Sequence, residues 1–146
     1  MSKTIKEKTV ILFLCTGNSC RSQMAEGWAT HLKSDDIKAY SAGIEKHGLN
    51  PYAIRVMAEE GVDITDQEST TIDELERSEF DWVITLCGHA DETCPHIPGN
   101  KIHRGFDDPP KLADQAQTDE EKLVHYRRVR DQIKEFVVTL PQSLQS

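Results

Sequence analysis

Apolar residues fall along the chain in two alternating rhythms. Val10–Leu14 is an unbroken apolar run, the mark of a short strand buried on both faces. Ser22–Lys33 then carries Met24, Ala25, Trp28, Ala29 and Leu32 at helical spacing. Ile37–Ser41 predicts a second strand, closed by Ala42-Gly43. Asn50-Pro51 reads as a cap followed by a first-turn proline, opening a helix that stops at Gly61. Thr71-Ile72-Asp73-Glu74 has the capping-box spacing of a short helix, and Asp81–Leu86 is the third strand. A brief strand over Lys101–His103 follows. Thr118-Asp119-Glu120-Glu121 is a second capping box, opening a long helix with Leu123, Tyr126, Val129, Ile133, Phe136 and Leu140 on one face. Such stripes are ordinary core.

Strands separated by helices predict a single doubly wound α/β domain over residues 1–146. It has a four-stranded parallel sheet, helices on both faces and a phosphate-binding loop after the first strand. Ligands of such sheets sit beyond the carboxyl ends of the strands, where Cys15 and Cys87 both fall. Asp107-Asp108-Pro109-Pro110 reads as a rigid loop that presents a carboxylate, because prolines interrupt helices.

Composition narrows the chemistry. A formal net charge of −8 without a strongly basic stretch argues against a nucleic-acid surface. It also repels anions overall, so attraction of an anion has to be local. The apolar run Val10–Leu14 is too short for a signal-peptide core or a membrane span, which predicts a cytoplasmic protein. In that reducing compartment four cysteines point to catalysis, redox work or metal binding rather than to structural cross-links.

The richest stretch is Cys15-Thr16-Gly17-Asn18-Ser19-Cys20-Arg21-Ser22. A strand delivers Cys15 to its carboxyl end. Small, turn-prone residues then turn their N–H groups inward, and a helix begins near Arg21 with its positive end toward the same cavity. Amides, helix dipole and guanidinium together favour a thiolate, and the Arg21 fork suits two oxygens of a tetrahedral anion. This pattern predicts covalent catalysis on phosphate or a phosphate look-alike. Cys20, where the loop turns into the helix, reads as a small packing residue. Asp108, held by Pro109, is the candidate acid for a departing oxygen.

Cys87, on that same sheet edge, and Cys94 supply two further thiols, as thiol–disulfide exchange requires. A zinc site from Cys87, His89, Cys94 and His96 is the metal alternative, although the spacing is uncommon. Gly88–Thr93, between the two cysteines, reads as a marginal helix or loop, weakened by Gly88 and stopped by Pro95.

With Cys15–Glu26, Thr85-Leu86-Cys87, Cys94-Pro95 and Gly105–Pro109 in place, the chain resembles the thioredoxin-coupled arsenate reductases, which share the fold of the low-molecular-weight protein tyrosine phosphatases. Gln23 stands where the phosphatases usually have proline, and Pro110 where an aromatic usually follows Asp-Pro. The resemblance implies that arsenate, with phosphate or sulfate as analogues, is held by Arg21 and the loop amides of Thr16, Gly17, Asn18, Ser19, Cys20, Arg21 and Ser22. Cys15 attacks, Asp108 protonates the leaving hydroxyl, and Ser22 supports the Cys15 thiolate. Cys87 then attacks Cys15, Cys94 attacks Cys87, and thioredoxin reduces the last disulfide. It implies a monomer that needs no cofactor. Some members bind potassium through residues matching Asn18, Glu26 and Ser41 with an acidic fourth ligand; Thr70 stands in that fourth place here. A phosphatase using Cys15, Arg21 and Asp108, and a protein that only captures metal or arsenite, are the competing readings.

Overall fold

The computed structural model describes residues 8–77, 79–93 and 97–145, apart from the side chains of His89, Asp91, Thr93 and Gln145. Four strands form one parallel sheet: β1 (Thr9–Cys15), β2 (Ile37–Gly43), β3 (Trp82–Thr85) and β4 (Asn100–His103). They lie in the order β2-β1-β3-β4, so the chain winds outward from β1 in both directions. β1 is central, and Ile11, Leu12, Phe13 and Leu14 are all completely buried, which is why no polar residue alternates there. β2 and β4 are edges and tolerate exposed lysines at Lys38 and Lys101. β2 runs two residues past the sequence expectation, because Ala42 and Gly43 stay in register with Leu14 and Cys15.

Five helices flank the sheet: α1 (Arg21–Lys33), α2 (Pro51–Glu59), α3 (Gly88–Thr93), α4 (Pro109–Ala113) and α5 (Asp119–Val138). α1 packs on β2 and α5, while α3 lies against β1 and β3. Asn50 caps α2 by accepting from the N–H of Tyr52 at 2.8 Å and of Ala53 at 3.3 Å, with Pro51 at the first helical position. Thr71 and Glu74 close a full capping box, but around a single 3-10 turn, Ile72–Glu74. Thr118 caps α5 through the Glu121 N–H, whereas the Glu121 carboxylate reaches back to the N–H of Gln117. Among the described residues no helix is long and apolar enough to cross a membrane.

One expectation is overturned. Asp107–Pro110 is not a loop throughout, because Pro109 and Pro110 form the first turn of α4 with Asp108 as its N-cap. Prolines are excluded from helix interiors, yet the first positions of a helix have no intrahelical partner for their N–H groups and accept proline's fixed φ.

Candidate active site

The carboxyl end of β1 runs directly into the Cys15–Ser22 loop, and α1 begins at Arg21. The loop is shaped from outside. The carbonyls of Cys15, Thr16 and Gly17 accept from the N–H groups of Ile44, Glu45 and His47, at 3.3, 2.9 and 2.9 Å. That of Asn18 accepts from Gln23 Nε2 at 3.0 Å, that of Ser19 from the Asn50 N–H at 2.9 Å, and that of Cys20 from the Met24 N–H at 2.9 Å. Every carbonyl from Cys15 to Cys20 is thereby engaged. A trans peptide is planar with its C=O and N–H antiparallel, so fixing six carbonyls also fixes the opposite heading of the N–H groups of Thr16 through Arg21. In none of these bonds does a loop amide donate. The result is a ring of N–H groups suited to an oxyanion.

Two glycines and an asparagine permit this path. A Cβ on Gly43 would come within 2.7 Å of the Asn18 nitrogen and 2.8 Å of the Thr16 oxygen, and one on Gly17 would collide with the His47 ring. Asn18 takes the left-handed conformation, with φ 47°. Asparagine tolerates that region better than most residues, and its side chain is fully used. Its Oδ1 accepts from the Thr70 N–H at 2.7 Å and from Gln23 Nε2 at 3.1 Å, and its Nδ2 donates to Ser22 Oγ at 2.8 Å. The Ser22 hydroxyl, which accepts from Asn18, lies 2.9 Å from Cys15 Sγ, within reach to donate to a thiolate there.

Arg21 is held at the opposite side. Its Nη1 donates to the Phe106 carbonyl at 3.0 Å, and its Nη2 lies 3.7 Å from Asp108 Oδ1. Of the acidic pair, Asp107 turns away to Arg128 at 3.2 Å. Asp108 makes no side-chain capping bond to α4, so its carboxylate is left to face Arg21 and is 40% exposed. Pro109 therefore does orient this carboxylate, by starting a helix rather than by stiffening a loop.

Cys15, Cys20 and Cys87 carry free thiols and are all buried. Burial pushes the Cys20 thiol well up, and the neighbouring Cys15 adds to this despite the opposing pull of Arg21. Cys20 therefore stays protonated and packs in the core, as its place in the sequence suggests. Cys87 follows β3, and its sulfur accepts from the Ala90 N–H at 3.4 Å and lies 3.2 Å from the Thr16 hydroxyl. Thr16 is the residue after Cys15, so the third strand brings this second thiol to the rim of the loop. Cys94, and with it the Cys87–Cys94 pair and the possible zinc ligand His96, lies outside the described residues.

Sequence reasoning places Cys15, Arg21, Ser22, Cys87 and Asp108 around one cavity; the structure pairs Cys15 with Ser22 and Arg21 with Asp108, and sets Cys87 beside Thr16. It misses the hydroxyl of Thr16, which faces a thiol 71 positions away, and the clamp made by residues 44 to 50. The left-handed Asn18 was the available signal, since asparagine in a small-residue loop marks a turn that other side chains resist.

Comparison with known proteins agrees with this geometry. The family model for the low molecular weight phosphotyrosine protein phosphatase matches residues 10–146. The chain belongs to that family. Within it, the chain is 53% identical over 138 residues to an arsenate reductase of Halalkalibacterium halodurans, covering 93% of this chain and 97% of that one. A solved arsenate reductase in its oxidized state superposes with a TM-score of 0.73 at 35% identity, covering 90% of this chain and 95% of the other. Another, in the phosphate binding state, gives a TM-score of 0.68 at 34% identity over 90% and 95%. The family member described here is an enzyme, on the arsenate reductase branch.

The cation found in some members does not fit the residues present. Asn18 Oδ1 already accepts two N–H groups, Ser41 Oγ donates to Glu26 Oε1 at 2.5 Å, and Thr70 Oγ1 donates to the Glu68 carbonyl at 3.2 Å. Burial raises the Glu26 pKa against the opposing effect of the Ser41 bond, which favours a neutral carboxyl there. With Thr70 in the fourth place and Glu26 pushed toward its neutral form, the donor set lacks the negative charge a cation needs, and no step below involves one.

Proposed function

We propose that the protein reduces arsenate to arsenite, in the cytoplasm and as a monomer, with thioredoxin as the reductant. The observation that carries this reading is the second thiol at the loop's rim, Cys87 beside Thr16, because hydrolysis of a phosphate ester has no use for it.

Arsenate enters the ring of amides from Thr16 to Ser22 and displaces the Arg21–Asp108 contact in favour of its own oxygens. The Cys15 thiolate, supported by the Ser22 hydroxyl, attacks arsenic, while Asp108 donates a proton to the departing hydroxyl, which leaves as water. Cys87 then attacks Cys15 Sγ. The sulfur–arsenic bond breaks with its electron pair passing to arsenic, so As(V) becomes As(III), arsenite departs and a Cys15–Cys87 disulfide remains. The Ala90 N–H and the Thr16 hydroxyl, at 3.4 and 3.2 Å, hold the attacking Cys87 sulfur at the loop's rim. Cys94 attacks Cys87 next, releasing Cys15, and the thioredoxin dithiol reduces the Cys87–Cys94 disulfide while becoming oxidised itself.

α3 spans Gly88–Thr93 between these cysteines. The seven steps from position 87 to position 94 would span roughly 10 Å at the helical rise, beyond the roughly 7 Å a disulfide tolerates. The relay therefore needs α3 to unwind, and a six-residue helix led by glycine offers little resistance.

The test is arsenate-dependent oxidation of thioredoxin, followed with thioredoxin reductase and NADPH. The proposal expects turnover that requires Cys15 and Cys87. Hydrolysis of p-nitrophenyl phosphate unaffected by loss of Cys87, with no arsenate-dependent NADPH consumption, would assign the site to phosphoester hydrolysis instead.

A further inference from the structure

We infer that Tyr126 is a positioning residue for the oxyanion loop, acting through Asn50 from the far side of the fold; this rests on the reading of the Cys15–Ser22 loop as the oxyanion site. Tyr126 is on α5, only 2% exposed, and its hydroxyl accepts from Asn50 Nδ2 at 3.1 Å. Its ring lies 5.2 Å from that of Tyr52, whose own hydroxyl donates to Asp119 Oδ1 at 2.9 Å, so the phenol cannot swing. Asn50 uses each of its polar groups for a different neighbour. The side-chain oxygen caps α2, the side-chain amide meets Tyr126, and the backbone N–H donates to the Ser19 carbonyl.

That last bond sets one of the anion-binding donors. The Ser19 carbonyl and the Cys20 N–H belong to one planar peptide and point in opposite directions. Holding the carbonyl against Asn50 therefore keeps the Cys20 N–H turned into the loop. Other loop carbonyls are held by backbone donors of the same segment or by Gln23 and the first turn of α1. The Ser19 carbonyl is the one held by a residue whose side chain is tied to α5. Burial first of all, with Cys20 and Asp108 adding and the Asn50 bond opposing, pushes the Tyr126 hydroxyl up to about 12. It thus remains a neutral acceptor for Asn50 throughout the working pH range. The chain of control runs from α5 through Tyr126 and Asn50 to the Ser19–Cys20 peptide, whose Ser19 lies 107 positions before Tyr126 in the sequence.

The experiment compares wild type, Tyr126→Phe, Asn50→Ser and the double variant. Tyr126→Phe keeps the ring and removes the acceptor; Asn50→Ser keeps a capping oxygen and removes the donor. Inorganic phosphate is the probe, titrated calorimetrically into reduced protein. Tyr126→Phe is expected to weaken phosphate binding roughly three- to tenfold, the effect of one hydrogen bond. The arsenate KM should rise in parallel, with kcat within about twofold, since no reacting group is touched. The double variant should bind no more weakly than the weaker single, because both changes cut one link. The Cys20 amide resonance should also move in Tyr126→Phe. A variant that binds phosphate as wild type does, even with a lower melting temperature, overturns the inference, as do losses that multiply in the double variant or a Cys20 amide that stays in place. A wild-type protein that takes up no phosphate would overturn the oxyanion reading itself, and this inference with it.

Discussion

The hydroxyl of Ser22 sits 2.9 Å from the sulfur of Cys15 and accepts from Asn18 Nδ2 on its other side. A hydrogen bond to a charged group contributes about 1.5–3 kcal/mol, so Ser22→Ala is expected to lower kcat/KM for arsenate by about 10- to 100-fold. Stability should fall by about 1–3 kcal/mol, because the buried Asn18 Nδ2 loses its acceptor. Steady-state kinetics on Ser22→Ala and Ser22→Thr checks this; a variant within twofold of wild type removes Ser22 from the mechanism.

Asp108 lies at 3.7 Å from Arg21 and is left free of α4's capping bonds. Asp108→Asn should reduce kcat on the order of 10²–10⁴-fold, as loss of a general acid does. Phosphate affinity should hold or improve, because the amide no longer competes for Arg21. Equal losses in turnover and in phosphate binding would instead make Asp108 a residue that shapes the loop.

Glu26 is buried beside Ser41, and its pKa is raised from 4.5 chiefly by that burial. A carboxyl with a raised folded pKa favours the native state fully below the unfolded value. That contribution is lost as pH rises through the folded value, after which the native state carries a buried charge. Glu26→Gln removes the charge. The stability of this variant relative to wild type should therefore rise with pH above the unfolded carboxyl value of about 4.3, with no such gain below it. Denaturant melts on either side of that value decide it; a difference independent of pH means that Glu26 titrates normally.

The strand, loop and first helix were legible in the sequence because Val10–Leu14 is apolar without interruption and Cys15-to-Arg21 is a local motif. Asn50-Pro51 and Thr118 announced their helices for the same reason, since a cap and its targets lie within one turn. Pro109-Pro110 misled because proline is a helix breaker everywhere except the first turn, and which case applies depends on where α4 docks on α5. The clamp on the loop carbonyls and the meeting of Thr16 with Cys87 depend on parallel register between strands far apart in sequence. Register is fixed by the packed sheet, and no local pattern records it.

The proposed relay requires α3 to open, so its amides should report the redox state. Exchange across Gly88–Thr93 is expected to be markedly faster in protein carrying the Cys87–Cys94 disulfide than in reduced protein. Equal protection in both states, with that disulfide verified, would exclude unwinding.

The central claim is that arsenic is reduced by a pair of thiols at the loop rather than displaced by water. It is tested most directly by mapping disulfides in Cys94→Ser after one equivalent of arsenate without thioredoxin. The account predicts one arsenite released per chain, a Cys15–Cys87 disulfide in stoichiometric yield and no second turnover. Arsenite release without that disulfide, or repeated turnover in its absence, would contradict it.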